Sequence, residues 1–151
     1  MEECFYRSSR QSVMLECMID RFKSYEEFEN YFSDEFLNDD TRVGNYLDKL
    51  LVKYDKRASA VSEDAGLATG YVGLIINGKK NNPSRDTLIS ICLAIGTSFE
   101  EAQYLLKYAG QAPLYVRRKR DVVIWFGLMK GQDIDTVNAN LIERKMKPLI
   151  K

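Results

Sequence analysis

Residues 58–80 read ASAVSEDAGLATGYVGLIINGKK, and the offsets inside this stretch decide the fold. Val61 and Ala65 lie four apart on the inner face of a short helix, and Gly66 stands where that helix must stop. Leu67 plugs the turn. Val72, Ile75 and Ile76 supply the inner face of a second short helix, which Asn77-Gly78 ends. After Pro83, KKNNPSRDTL opens the next helix, and Leu88, Ile91 and Leu93 continue the core. Two short helices therefore meet around a very tight bend.

The rest of the chain reads as helix too. Glycine (nine) and proline (three) are sparse among 151 residues. With short β-branched runs and apolar residues recurring at helical spacing, the predicted class is all-α. Upstream, Val43, Leu47, Leu50, Leu51 and Tyr54 form one stripe of a helix expected over 41–54. Ser24 followed by Glu27 is a capping box that opens SYEEFENYFSDEFL, and an earlier helix is expected through QSVMLECMIDRF. The aromatic residues of this region, including Phe22, Phe28, Tyr31 and Phe36, suit a packed helical pair better than a ligand box.

Composition narrows the functions. Hydrophobic residues make up 45% and charged residues 29% of the chain, as in an ordinary globular protein. No apolar run approaches the ~20 residues that a membrane helix needs, and MEECFYRSSR lacks the pattern of a secretory signal, so a cytoplasmic location is expected. The three cysteines (Cys4, Cys17, Cys92) are odd in number and widely spaced, which argues against a disulfide framework. Cys92, within LISICLAIG, reads as a small buried hydrophobe. The chain has no histidine, which removes Ser-His-Asp and Cys-His nucleophiles and most zinc sites. We expect no enzyme activity, catalytic residue, metal or cofactor.

The net charge of zero hides an asymmetry. Residues 1–40 carry 11 acidic and 4 basic side chains, whereas 41–151 carry 11 acidic and 18 basic. A basic body with an acidic arm suggests an anionic partner for the body, an arm that folds over it, or both.

The C-terminal half repeats itself. Residues 85–115 align without gaps on 120–150 at an offset of 35, with identities at Arg85/Arg120, Asp86/Asp121, Ile89/Ile124, Leu93/Leu128, Gly96/Gly131, Leu106/Leu141, Pro113/Pro148 and Leu114/Leu149. Each copy places an Asp in the first turn of one helix, a Gly at its end and a polar cap, Ser98 or Asp133, on the next. Two αα-hairpins stacked in register would bury a continuous seam.

The string INGKKNNPSRDTLISICLAIGTSFEEA, together with the Ala-Gly turn before it, resembles the lambda-repressor-like (XRE-type) helix-turn-helix family over about residues 43–109. The resemblance implies a five-helix core over 41–115, preceded by the arm (1–40) and followed by an αα-hairpin (116–151). It implies that the helix from about Thr69 to Asn77 enters the DNA major groove, with Ala68, Thr69, Gly70, Tyr71 and Leu74 facing base edges. Lys79, Lys80 and Arg85 would then lie near phosphates, joined by the helix start after Arg57. The pattern departs from the family where Ala58 replaces a phosphate-contacting Gln, where Arg57 replaces a capping Ser or Thr, and where no Arg, Asn or Gln occupies the groove face. Gly70 and Gly73 each cost a helix about 1 kcal/mol relative to Ala, but would let another backbone approach closely.

Arg117, Arg118, Lys119 and Arg120 form a second basic feature. Cations at a helix start oppose its dipole. They suit a solvated run, a phosphate contact or a dock for the acidic arm, and the Arg120/Arg85 match hints at a packing role. Trp125, among Ile124 and Leu128, reads as core. The expected function is sequence-specific transcriptional regulation by a DNA-binding homodimer. The competing expectation is a protein-interaction adaptor or antitoxin-like module, whose partner meets the acidic arm or the last hairpin.

Overall fold

The computed structural model describes residues 16, 18–32, 42–80 and 82–149. Among them the chain is all-helical, with eight α-helices, one short 3₁₀ turn and no strand. It divides into two compact units, Met1–Asp39 and Asp40–Lys151.

In the first unit a 3₁₀ turn, Ile19–Arg21, precedes α1, Tyr25–Phe32. The expected earlier helix thus ends as a 3₁₀ turn, and its beginning lies outside the described residues, as does Phe36. The Ser24 hydroxyl accepts the Glu27 N–H at 3.2 Å, but the Glu27 carboxylate reaches past the cap to the Lys23 N–H at 3.1 Å. Phe22 packs edge-on against Phe28 and Tyr31, with centroids 5.1 and 5.8 Å apart.

The second unit holds α2 (Arg42–Lys53), α3 (Ala58–Asp64), α4 (Tyr71–Ile76), α5 (Arg85–Ile95), α6 (Phe99–Tyr108), α7 (Lys119–Lys130) and α8 (Ile134–Glu143). Leu47, Leu50 and Leu51 of the α2 stripe are buried, with Val43 and Tyr54 half-buried at its ends. Burying each large aliphatic side chain contributes roughly 1.5–3 kcal/mol. Helix α5 is the hub: Thr87 to Leu93 and Ile95 are all buried, and α3, α6, α7 and α8 pack against it. Cys92 lies in this core, where burial pushes its thiol up to about 12. Gly44 lets α2 press on the end of α4, because a Cβ there would stand 2.8 Å from the carbonyl oxygens of Ile75 and Ile76.

Glu101 ties α2 to α6. Its carboxylate accepts from Ser98 N–H at 2.9 Å, Lys53 Nζ at 2.8 Å and the Tyr54 hydroxyl, while Ser98 Oγ accepts the Glu101 N–H in return. Burial works to raise its pKa, but these donors outweigh burial and hold it below the usual carboxylate value, as hydrogen bonds to a charged form do. Partial burial and the same carboxylate push the Tyr54 phenol up to about 12.

The two hairpins, α5–α6 and α7–α8, repeat in structure as in sequence. Gly96 (φ +86°) and Gly131 (φ +66°) end α5 and α7 in the left-handed conformation, and Ser98 and Asp133 cap α6 and α8. Gln103 pins the backbone of Leu114, and Asn138, at the equivalent position, accepts from the N–H of Leu149. The repeated Arg-Asp pairs exchange partners. Arg85 donates to both Asp121 oxygens at 3.0 and 2.9 Å, and Arg120 donates to both Asp86 oxygens at 3.0 Å. Each arginine also holds its own unit's exit loop, through Arg85 Nε to Ala112 O (2.8 Å) and Arg120 Nε to Lys147 O (2.9 Å). Such reciprocity, in which each copy gives what it receives, is the mark of a two-fold relation. Trp125 stacks on Phe99 across the seam, with centroids 3.9 Å apart.

Candidate nucleic-acid interface

The bend between α3 and α4 is built from its residues outward. Gly66 takes φ +71°. That conformation costs a residue with a Cβ about 1–2 kcal/mol. The Leu67 N–H returns to Ser62 O at 2.8 Å and closes the turn. Gly70 holds the cap position of α4 at φ +81°. It has no side chain to serve the free N–H groups at a helix start. A neighbouring helix supplies that acceptor. The buried Ser62 hydroxyl on α3 accepts the Val72 N–H at 3.1 Å and donates to Ala58 O at 2.9 Å. Val72 and Ile75 then fill the inner face as expected.

Helix α4 is shorter than the sequence suggested. The left-handed Gly70 keeps Ala68 and Thr69 out of the helix, so Ala68, Thr69 and Gly70, expected at base edges, form an exposed loop leading into it. Tyr71 is half-buried, and Lys80 lies over its ring at 5.3 Å from the centroid. Leu74 is 40% exposed. A Cβ added at Gly70 or Gly73 would meet nothing within 4 Å, so this side of α4 is open. Lys79 and Lys80 are exposed, their N–H groups both returning to Leu74 O at 3.0 Å. Thr69 lines a hollow of about 360 Å³ with Ser59, Glu63, Gly66 and Leu67. Arg57 stands at the cap of α3 with no side-chain bond to the helix.

The remaining basic candidates separate by role. The Arg85 guanidinium, expected near phosphate, is instead engaged by Asp121 and two loop carbonyls, because the repeat brings a buried carboxylate to it. Arg117 and Arg118 are exposed. Arg118, Lys119, Arg120 and Arg85 line a groove of about 670 Å³ at the start of α7. The N-cap of α7, Arg118, makes no side-chain bond to the helix, unlike the capped starts of α5, α6 and α8.

Sequence reading missed Ser62, the residue that fixes the pose of α4. Its one signal is a hydroxyl between Val61 and Ala65 on an inner face. It also missed Asp121 as the holder of Arg85, although the repeated Arg-Asp pair was visible. Among the described residues no group of three or more acids and thiols could hold a metal ion, and no helix is long and apolar enough to cross a membrane. Comparison with protein-family models, curated proteins and solved structures found no match.

Proposed function

We propose that the chain is a DNA-binding transcriptional regulator that works as a homodimer and reads double-stranded DNA with the 68–74 segment. The observation that carries the reading is the open outer side of α4. Its inner face is anchored by Val72, Ile75 and Ser62, while Gly70 and Gly73 face empty space and Leu74 is exposed. A short helix with Gly70 at its entry and Gly73 on its outer side admits a phosphate ridge or base edge closer than a bulky face does. Lys79 and Lys80 follow at its end, exposed, and supply the phosphate contacts of this reading. Thr69 has a hydroxyl for a base edge, and Ala68 and Leu74 suit a thymine methyl. Arg85 is left out of the contact set because four of its N–H donors are engaged and its charge is paired with Asp121.

Selection of bound duplexes from a random pool by the full-length protein tests the reading. A consensus site should emerge. On that site Thr69→Ala with Tyr71→Ala should cost about 1–3 kcal/mol per lost base contact. Lys79→Ala and Lys80→Ala should weaken all sequences alike and flatten the salt dependence. Enrichment of no sequence, with no shift of any duplex at low salt, sinks the proposal. A protein-interaction module on the same scaffold is favoured by one observation: Glu63 shares the hollow of Thr69, an anion where a phosphate-facing surface gains from none.

A further inference from the structure

Helix α7 is apolar without interruption from Val122 to Met129. A helix that is apolar all round is ordinarily enclosed on every side. Its repeat counterpart is enclosed: Thr87, Leu88 and Ile91 of α5 are buried, and α3 packs against that helix. The offset of 35 carries these positions to Val122, Val123 and Phe126, and carries Ala94 to Met129. There Val122 and Val123 are half-buried, Phe126 is 50% exposed and Met129 61% exposed. Among the described residues, α7 has the stripe of a core helix without the helix that covers it in the first repeat. Lys130 lays its ammonium over the Phe126 ring, 5.6 Å from the centroid, and shields part of the stripe.

The charges at the two ends of the stripe indicate what covers it. Arg117, Arg118 and Lys119, all exposed, mark the start of α7, whose one acid, Asp121, is buried and paired. The chain leaving its far end presents Asp133 and Asp135, both exposed. Lys130 ends α7, and after the turn at Gly131 the two acids cap and open α8. A second α7 laid antiparallel about a two-fold axis at Phe126 sets the basic start of each helix toward the end of the other, where these acids follow. It stacks Phe126 against its own copy. The two helix dipoles oppose favourably in that arrangement, whereas a parallel pair would set like ends together. Lys130 can swing its ammonium to the rim while its stem stays on the apolar surface.

We propose that the outer face of α7 is the dimer surface of this protein, occupied by α7 of a second copy in antiparallel, two-fold register centred on Phe126. The inference rests on the regulator reading for its purpose, since a two-fold dimer offers two copies of α4 to two half-sites. Self-association itself is measured without DNA.

Sedimentation equilibrium of the full-length chain provides the test. Wild type should be dimeric, and Phe126→Glu should weaken the dimer by at least ~30-fold, as loss of a central anchor does. Because Phe126 is exposed, the circular dichroism spectrum of the variant should match wild type, while its melting temperature should lose any dependence on protein concentration that the wild type shows. Arg118→Asp and Asp135→Arg should each weaken the dimer, and the two together should restore it. A wild type that stays monomeric at its highest soluble concentration overturns the proposal, as does an undiminished dimer in Phe126→Glu. Failure of the paired swap to recover overturns the antiparallel register. A dimer that responds as expected but shifts no DNA supports this surface and rejects the regulator reading instead.

Discussion

The two exchanged ion pairs that join the hairpins are alike in geometry and unlike in burial, so they make a controlled comparison. Asp121 is 3% exposed and accepts three hydrogen bonds, two from Arg85 and one from the Tyr115 N–H at 2.9 Å. Asp86 is 27% exposed and takes its pair from Arg120. Breaking a buried pair by removing one partner costs about 3–5 kcal/mol, because it leaves a charge desolvated and unmatched. Arg85 would keep the carbonyls of Ala112 and Pro113. Asp121→Ala therefore belongs near the lower end, at about 3 kcal/mol. The partly solvated Asp86 pair resembles a surface pair, and Asp86→Ala should cost about 1 kcal/mol. Urea unfolding of the full-length chain reads both values from the midpoint at unchanged slope. Equal costs for the two variants, or a negligible cost for Asp121→Ala, would refute this explanation of how the hairpins are joined. Arg85→Ala adds an independent readout: it should lower stability while leaving the salt slope of DNA binding unchanged.

Three further outcomes are expected. Glu101 has a depressed pKa in the folded state, below its ordinary value of 4.5. Its contribution is therefore present above the unfolded value and is lost as pH falls below it. Acid titration followed by circular dichroism should show destabilisation below about pH 4.5 that Glu101→Gln flattens, at a cost in neutral stability. Gly127→Ala would put a Cβ 2.5 Å from Val137 Cγ2, whereas a Cβ at Gly73 meets nothing. Thermal melts should show Gly127→Ala destabilising by about 1–3 kcal/mol. Gly73→Ala should stabilise by up to about 1 kcal/mol while weakening DNA binding. Lys145 lies at φ +59° where the first repeat has Gly110 at φ +73°. Lys145→Gly should raise the melting temperature by relieving about 1 kcal/mol of left-handed strain.

What the sequence made legible was local. The α2 stripe, the bend at Gly66, the ends of α5 and α7 and the caps Ser98 and Asp133 each follow from residues within a turn or two of one another. The duplication was legible for the same reason, being a comparison of the chain with itself. What escaped were relations across long separations. Arg85 looked like a cation free for phosphate because its partner Asp121 is 36 residues away, and Lys53 shows nothing of Glu101, 48 residues on. The start of α4 was misplaced for a different reason. Thr69 and Gly70 satisfy a helical pattern by spacing, but glycine can leave it at no steric cost, and pattern alone does not report which way a glycine turns. On α7 the reading of Trp125 as core, from its neighbours Ile124 and Leu128, did not extend to the exposed side with Phe126 and Met129, because apolar spacing records what a helix prefers to bury, with no indication of which chain does the burying.

The central claim, that the segment at 68–80 meets DNA, is tested most directly by titrating a selected duplex into isotope-labelled full-length protein and recording amide shifts. The largest changes should fall at Ala68, Thr69, Gly70, Tyr71 and Gly73, with smaller ones at Lys79 and Lys80, fading as salt rises. Shifts confined to α7 and α8, with residues 68–80 unmoved, would contradict it.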